Sequence, residues 1–427
     1  MYKTFCSKVP ALLVAMISVL ALAIACGGED PTPTTPATSI PTATPSIQAA
    51  YAPTTEDLGG GSPDAFARVF KNSIDTSTAQ AASEYADAAK PLADGEKLKV
   101  GFIFVGSQQD LGYNQAAYEG SQFLLQQRPD VEILYAENIP ETAQVKSVME
   151  GMIQQGAKVI FATSFGYSDA TKELAKQHPG IIFLHQGDLE STPNYGAYFG
   201  NIWQLEYAMG QAAGRSTKTN ELGFVAAFPI PQTLLNVNAF HLGALSVNPD
   251  VSTTFVLLGD WCDPAKQAAA AQTMLDAGVD VITQHQDCTG TITTAAERAN
   301  IFVTGYHQDA SSAAPNGWLS GAVWNWGPVY TELVTEIKNG AYKTNVFFGG
   351  LEEGFVKLAP FGANVPSDIQ QEVLATVEGL RNGSIQPFLG PITDQSGAVR
   401  IVAGESPSDE ALQTIDWLVE GISGSTN

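Results

Sequence analysis

The chain has 427 residues and sets 44 acidic against 21 basic side chains, a formal charge of −23. That balance excludes a broad basic face for nucleic acid or anionic lipid. About 365 residues follow an N-terminal leader and linker, enough for two lobes with sizeable cores.

Residues 1–26 read as a processing signal. Lys3 and Lys8 give a positive start, residues 9–25 are almost wholly apolar, and the run is short for a membrane span. It closes on Ala23-Ile24-Ala25-Cys26, which resembles a bacterial lipoprotein box, with Leu22 one place earlier than the usual leucine. Cys26 is therefore the expected lipidation site, holding the protein on the outer face of the cell membrane. An ordinary cleaved signal with an incidental cysteine is the alternative. Residues 27–60 are dominated by Thr, Pro, Ser, Ala and Gly. Such a stretch cannot bury enough apolar surface to offset its ordering entropy, and its prolines keep it extended, so it reads as a disordered tether. Residues 61–96 are Ala-rich with polar interruptions and read as a helical preface.

From residue 97 strand and helix signals alternate. Strands are expected at 97–105, 131–135, 159–163 and 181–185, with helices at 114–127, 142–155, 168–177 and 202–215. The order restarts at Glu221, with helices at 233–246, 264–276 and 289–299 and strands at 253–258, 279–284 and 301–305, followed by a strand around Ala322. Regular alternation of this kind implies an α/β fold with parallel sheets covered on both faces. An internal echo supports two similar halves. Met152-Ile153-Gln154-Gln155-Gly156-Ala157-Lys158-Val159-Ile160 resembles Met274-Leu275-Asp276-Ala277-Gly278-Val279-Asp280-Val281-Ile282, each a helix end, a glycine stop and a strand start. The expected division is 97–218 plus 306–343 for lobe 1 and 219–305 plus 344–427 for lobe 2. No later segment is apolar for long enough to span a bilayer.

Parallel sheets bind ligands beyond the C-terminal ends of their strands. Aromatic and polar residues gather there: Asp110, Tyr113 and Asn114 after the first strand, Phe165 after the third, Trp261, Asp287 and Asp309 in the second half, and Trp326 after the strand around Ala322. Cys262 and Cys288 fall at the ends of neighbouring strands. A disulfide there would close a loop of about 25 residues, worth about 3–4 kcal/mol in the chain-entropy model; two free buried thiols are the alternative.

The segment Asp110-Leu111-Gly112-Tyr113-Asn114, opening a helix, resembles the basic membrane protein family of substrate-binding lipoproteins, similar to the purine nucleoside receptors of ABC importers. Thr163-Ser164-Phe165-Gly166-Tyr167, Gln284-His285-Gln286-Asp287, Trp326-Gly327-Pro328 and Gly354-Phe355-Val356-Lys357-Leu358-Ala359-Pro360 extend the resemblance over about 97–417. It implies a type I periplasmic-binding-protein fold, two Rossmann-like lobes joined by three crossovers, a purine ligand and a permease partner. By the same resemblance Asn114 and Tyr113 match the family's helix-opening pair, and Asp309 matches its ribose-contacting acid. Where the nucleoside receptors carry a lysine, this chain has Trp324-Asn325-Trp326. That departure shifts the expectation toward a bare base such as adenine.

A flat heterocycle needs aromatic faces and a few edge donors and acceptors. Tyr113 and Phe165 are the expected stacking pair, with Trp261 and Trp326 next; packing near the hinge is the competing role for all four. Asp110, Asp287 and Asp309 can accept ligand N–H bonds. Asp110 and Asp287 also precede helices and read equally as N-caps, as does Asn114. No nucleophile elbow, metalloprotease motif or phosphate loop occurs. Asp110 with Asp287 imitates the paired carboxylates of a nucleosidase, but a tethered two-lobed body fits binding better than turnover. The expectation is a monomeric binding protein without metal or cofactor, closing on its ligand by a hinge. A receptor feeding a membrane sensor is the alternative use of the same device.

Overall fold

The computed structural model describes residues 95–426. The expected signal peptide with Cys26, the tether, and residues 61–94 of the expected preface lie outside the described residues. Among those described, no helix is long and apolar enough to cross a membrane.

The first half runs β1 (Leu98–Ile103), α1 (Tyr113–Gln127), β2 (Val131–Ala136), α2 (Gln144–Gln154), β3 (Val159–Ala162), α3 (Ser168–Gln177), β4 (Ile182–Gln186) and β5 (Tyr195–Gly200). The chain then crosses through α4 (Trp203–Ser216) into β6 (Glu221–Ala226), α5 (Pro231–Leu245), β7 (Ser252–Leu257), α6 (Pro264–Asp276), β8 (Val281–His285), α7 (Gly290–Ala299), β9 (Phe302–His307) and β10 (Trp318–Trp324). It returns with α8 (Trp326–Lys338) and β11 (Val346–Gly349). It crosses once more into β12 (Val356–Leu358), α9 (Ser367–Arg381), the short ribbon β13 (Ile392–Thr393) and β14 (Val399–Ile401), α10 (Asp409–Leu412) and β15 (Ile422–Ser423).

Two sheets result. The first has the order β11-β5-β4-β3-β1-β2 and the second β12-β10-β9-β8-β6-β7-β15. Within these two sheets all pairings are parallel except that of β12 with β10, and β13 and β14 pair antiparallel as a separate ribbon. The cores of the two sheets share one strand order, so the sequence echo reflects a repeated architecture. The matched methionines do matched work. A Cβ on Gly101 of β1 would lie 2.6 Å from the Met152 sulfur, and one on Gly223 of β6 would lie 2.6 Å from the Met274 sulfur. Each helix presses its thioether onto the bare backbone of its lobe's first strand.

The expected division of the lobes is corrected by the strand pairing. Residues 306–324 belong to the second sheet through β10, and residues 346–349 belong to the first through β11. The first lobe therefore takes 326–349 as its second contribution, and the second lobe resumes after Gly349. The strand around Ala322 is β10, which the expectation put in the wrong lobe, while β5 and β11 are absent from the expected strands. Both are short, aromatic and Gly-containing (Tyr-Gly-Ala-Tyr-Phe-Gly and Val-Phe-Phe-Gly), without the Val/Ile run that marked the other central strands.

Three chain crossings thus join the lobes, at Gly200–Trp203, Trp324–Trp326 and Gly349–Val356. They are stitched to one another. Asn201 N–H donates to the Gly349 carbonyl at 2.8 Å, and Asn325 N–H donates to the Phe355 carbonyl at 2.8 Å. The largest apolar cluster runs through both lobes by way of Phe199, Ile202, Trp324, Trp326 and Phe355. The hinge is a packed continuation of the two cores.

Candidate functional site

The C-terminal edges of the two sheets face each other, and the loops that leave β1 and β8 meet. Tyr113 N–H donates to the Asp287 carbonyl at 2.9 Å, and Thr289 N–H donates to the Asp110 carbonyl at 3.3 Å. The Thr289 hydroxyl adds a bond to the Leu111 carbonyl. A Cβ on Gly112 would stand 1.9 Å from the Asp287 oxygen, so only glycine allows this approach. Further along the mouth, Gln308 Nε2 of the second lobe donates to Glu119 Oε2 of the first. The lobes are closed on one another.

Behind this contact lies a continuous run of rings. Tyr113 meets His307 edge to face at 5.0 Å between centroids. His307 accepts a hydrogen bond from Trp324 Nε1 at 2.8 Å. Trp324 stacks on Trp326 at 4.6 Å and 17°, and Phe199 closes edge-on against Trp324 at 4.8 Å. On the second lobe, His285 faces Tyr306 at 4.6 Å and Trp261 at 6.1 Å, and Trp261 leans on Phe228 at 5.2 Å. Burial strips water from the imidazoles and lowers His285 to about 3; it holds His307 well below its ordinary value, with His285 adding to the effect. Both rings are neutral at physiological pH.

Several buried polar atoms around these rings have no hydrogen-bond partner. They include Gln186 Nε2, Trp326 Nε1, His307 Nε2, Asn236 Oδ1 and both carboxyl oxygens of Glu206. The Gln186 amide oxygen accepts the Tyr198 hydroxyl at 3.0 Å and the Tyr330 hydroxyl at 3.5 Å, which leaves its NH2 group unbonded. Folded proteins pair nearly all such groups, because each one left bare costs about 1–3 kcal/mol. Such groups, lying among flat rings at the two strand-end edges, are able to pair with a bound molecule.

The expected site residues divide into groups. Tyr113, Trp326, Trp261 and Asp287 join the ring cluster or its rim. Asp110 spends its oxygens on its own loop: Oδ1 accepts from the N–H groups of Gly112 (2.9 Å) and Gln115 (3.0 Å), and Oδ2 from Asn114 N–H (3.0 Å) and Nδ2 (2.7 Å). Asn114 Oδ1 then accepts Gly106 N–H at 3.2 Å. Asp110 and Asn114 thus lock the helix opening, the N-cap role left open by the sequence. Burial nevertheless raises the Asp110 pKa, outweighing these bonds. Asp287 is pushed well up, first by burial and then by the charges of Asp110, Glu141 and Asp260. Phe165 is 51% exposed and stands at the rim, beside Gly187 and Phe199. Asp309 is exposed, and its Oδ1 accepts Ser311 N–H at 2.9 Å. Asn325 Nδ2 donates to the Gly354 carbonyl at 2.9 Å. Cys262 and Cys288 stand with their sulfurs at bonding distance, 2.09 Å, and their Cα atoms 5.2 Å apart.

Sequence reasoning missed Phe199, Gln186, His307, Asn236 and Glu206 as members of this cluster. Only Glu206 carried a usable signal: an acid on the helical face that also holds Ile202 and Met209, both buried. The others sit in β5, which was not recognised, at strand ends, or within an almost wholly buried helix.

Residues 97–389 match a family model described as ABC transporter substrate-binding protein, PnrA-like. The chain is 35% identical over 328 residues to a purine-binding protein of Brucella abortus, covering 77% of this chain and 93% of that one. It is 31% identical over 342 residues to a candidate ABC transporter glucose-binding protein of Haloferax volcanii, covering 80% and 84%. An ABC transporter solute-binding protein from Conexibacter woesei superposes with a TM-score of 0.58 at 22% identity, covering 67% of this chain and 97% of that one. That likeness concerns the fold.

Proposed function

The chain belongs to the PnrA-like family of ABC transporter substrate-binding proteins, and on that premise we propose that its cleft takes a purine base. As the substrate-binding component of an importer, the protein works outside the cytoplasm and hands a small molecule to a membrane permease. The observation that carries the ligand class is the ring cluster: stacked Trp324 and Trp326, with Tyr113 and Phe199 at their edges, surround polar atoms that lack partners. Flat faces suit a flat ring, and base–aromatic stacking contributes about 1–3 kcal/mol per base. The Brucella relative, named for purine binding, supports the same class.

A bare base is favoured over a nucleoside. Asp309, the residue that would meet a ribose, is exposed and engaged in its own turn, and Asn325 is occupied by the Gly354 carbonyl. Ligand enters the open cleft, the second lobe swings onto it, and the Asp110–Tyr113 loop docks on Asp287–Thr289. Cys26 carries the lipid in this reading, Cys262 and Cys288 are oxidised, and one chain suffices for binding. The chain's own residues supply contacts and no bond-breaking step.

Isothermal titration of the body from residue 95 with adenine, hypoxanthine, guanine, their nucleosides and glucose tests the proposal. Saturable binding of a base, tighter than its nucleoside, is the expected outcome. Binding of glucose alone would replace the ligand class and leave the family assignment standing.

A further inference from the structure

Glu206 lies one turn into α4, immediately after the first crossing between the lobes, and is completely buried. Neither of its carboxyl oxygens has a hydrogen-bond partner. α4 packs on β9 and β10, and the Tyr306 hydroxyl at the end of β9 is raised first by burial and then by the Glu206 charge. That hydroxyl accepts Asn236 Nδ2 at 2.8 Å, while Asn236 Oδ1 is itself unpartnered. Bare side-chain oxygens of Asn236 and Glu206 therefore lie on two helices of the second lobe, α5 and α4, the first of them beside Tyr306. On the side of the first lobe and the second crossing, the bare atoms of Gln186 and Trp326 are N–H donors. His307 Nε2, the N–H of a neutral ring that accepts at Nδ1, is a further bare donor on the second lobe, so that wall offers both donor and acceptor atoms.

A buried carboxyl without a partner is costly in either protonation state. No described residue supplies the missing hydrogen bond. Burial alone raises the Glu206 pKa, so a neutral carboxyl, one donor and one acceptor, is available beside the carboxylate. Both forms can make a two-point contact with a heterocycle edge that carries an N–H. A neutral acid fits an amidine or lactam edge, and a carboxylate fits two adjacent N–H groups.

Resting on the purine reading of the same cleft, we propose that Glu206 is a specificity-determining residue: it pairs with an N–H-bearing edge of the ligand and rejects rings whose nitrogen edges are blocked. The ligand class narrows to purines with a free amidine or lactam edge, its acceptor edge turned toward Gln186 and Trp326.

The test compares the wild-type body with Glu206→Gln and Glu206→Leu by isothermal titration. The probes are adenine, hypoxanthine, guanine, a fully N-methylated xanthine, glucose and agmatine. Wild type should prefer the free-edged purines. Glu206→Leu should lose about 100-fold for them, as expected for a hydrogen-bonded carboxyl, while leaving the methylated ring unchanged or improved; Glu206→Gln should keep most of the preference. Equal affinities for all probes in wild type and Glu206→Leu, or a uniform loss across them, would overturn the proposal while the purine reading stands. Agmatine binding lost in Glu206→Leu, with no purine bound, would sink the purine reading and keep the carboxyl's role. Glucose binding unaffected by either variant would end both. Infrared difference spectra on adding adenine guard against misfolding of the leucine variant. A carboxyl band present in wild type and absent from Glu206→Gln supports the proposal, and identical spectra overturn it.

Discussion

At the scale of single residues, the carboxyl at Asp110 and the indole at Trp326 make different predictions. Asp110 accepts three backbone N–H groups and one side-chain amide within its own loop. Asp110→Ala is expected to cost about 1–2 kcal/mol of stability, as the loss of a good cap does, read as a lower urea midpoint with an unchanged slope. Trp326 gives up little of that kind, since its Nε1 has no partner. Trp326→Phe keeps a ring against Trp324 but leaves a gap in the packed hinge core, so it should cost about 1–2 kcal/mol of stability and about tenfold in base affinity by titration. The sequence showed Asp110 and Trp326 equally clearly and could not separate these roles. What a carboxylate does depends on which N–H groups lie within 3 Å, and at Asp110 those come from its own helix. Gln186 and Asn236 were illegible for another reason: an amide at a strand end or in a buried helix leaves no pattern until its neighbours are known.

Among the elements, the loop after β1 and the loop after β8 decide closure. Gly112 has no room for a Cβ against the Asp287 carbonyl. Gly112→Ala should leave both lobes folded, hold the cleft open and weaken ligand binding by at least about tenfold, because the competent form becomes scarce. Small-angle scattering checks this: ligand should contract wild type and leave the variant unchanged. The cysteine pair braces the other side. Cys262→Ser with Cys288→Ser is expected to remove about 3–4 kcal/mol from the oxidised protein and nothing from protein kept in reductant. Thiol titration after denaturation without reductant should find neither cysteine free. Of the elements themselves, the Val- and Ile-rich strands and their helices announced themselves by composition and period. β5 and β11 did not, because their fit depends on neighbours contributed from opposite ends of the chain.

For the whole molecule, closure brings carboxylates together. Asp110 and Glu141 from the first lobe and Asp260 from the second surround Asp287, whose pKa is raised in the closed form by burial and then by these charges. A raised carboxyl pKa means that the closed form binds more protons than the open form. Closure is therefore favoured fully below the ordinary carboxylate value of about 3.9, and the advantage is lost as pH rises through the raised value. Base affinity should weaken as pH rises above the ordinary carboxylate value toward the raised one, and Asp287→Asn should flatten that slope in titrations across the range. The imidazoles oppose it below the ordinary histidine value of about 6.5, because in the closed form burial lowers His285 to about 3 and holds His307 well below that value, so the Asp287 slope is read above it. The two-lobed plan was legible in the repeated alternation and the methionine-bearing echo. The points at which the chain changes lobes were not, since sheet membership is set by pairing across more than a hundred residues.

Those changes of lobe govern the order in which the protein can be completed. β11 pairs with β5, and α8 packs its Trp326 and Tyr330 against the Gly120 side of α1, yet the whole of β6–β10 is synthesised in between. As the chain emerges, the first lobe waits unfinished, with one flank of its sheet and one face of its first helix uncovered, until residue 349 has appeared. Maturation is a two-visit process, and a pause or truncation between residues 200 and 326 leaves a sticky half-molecule for chaperones and proteases to judge.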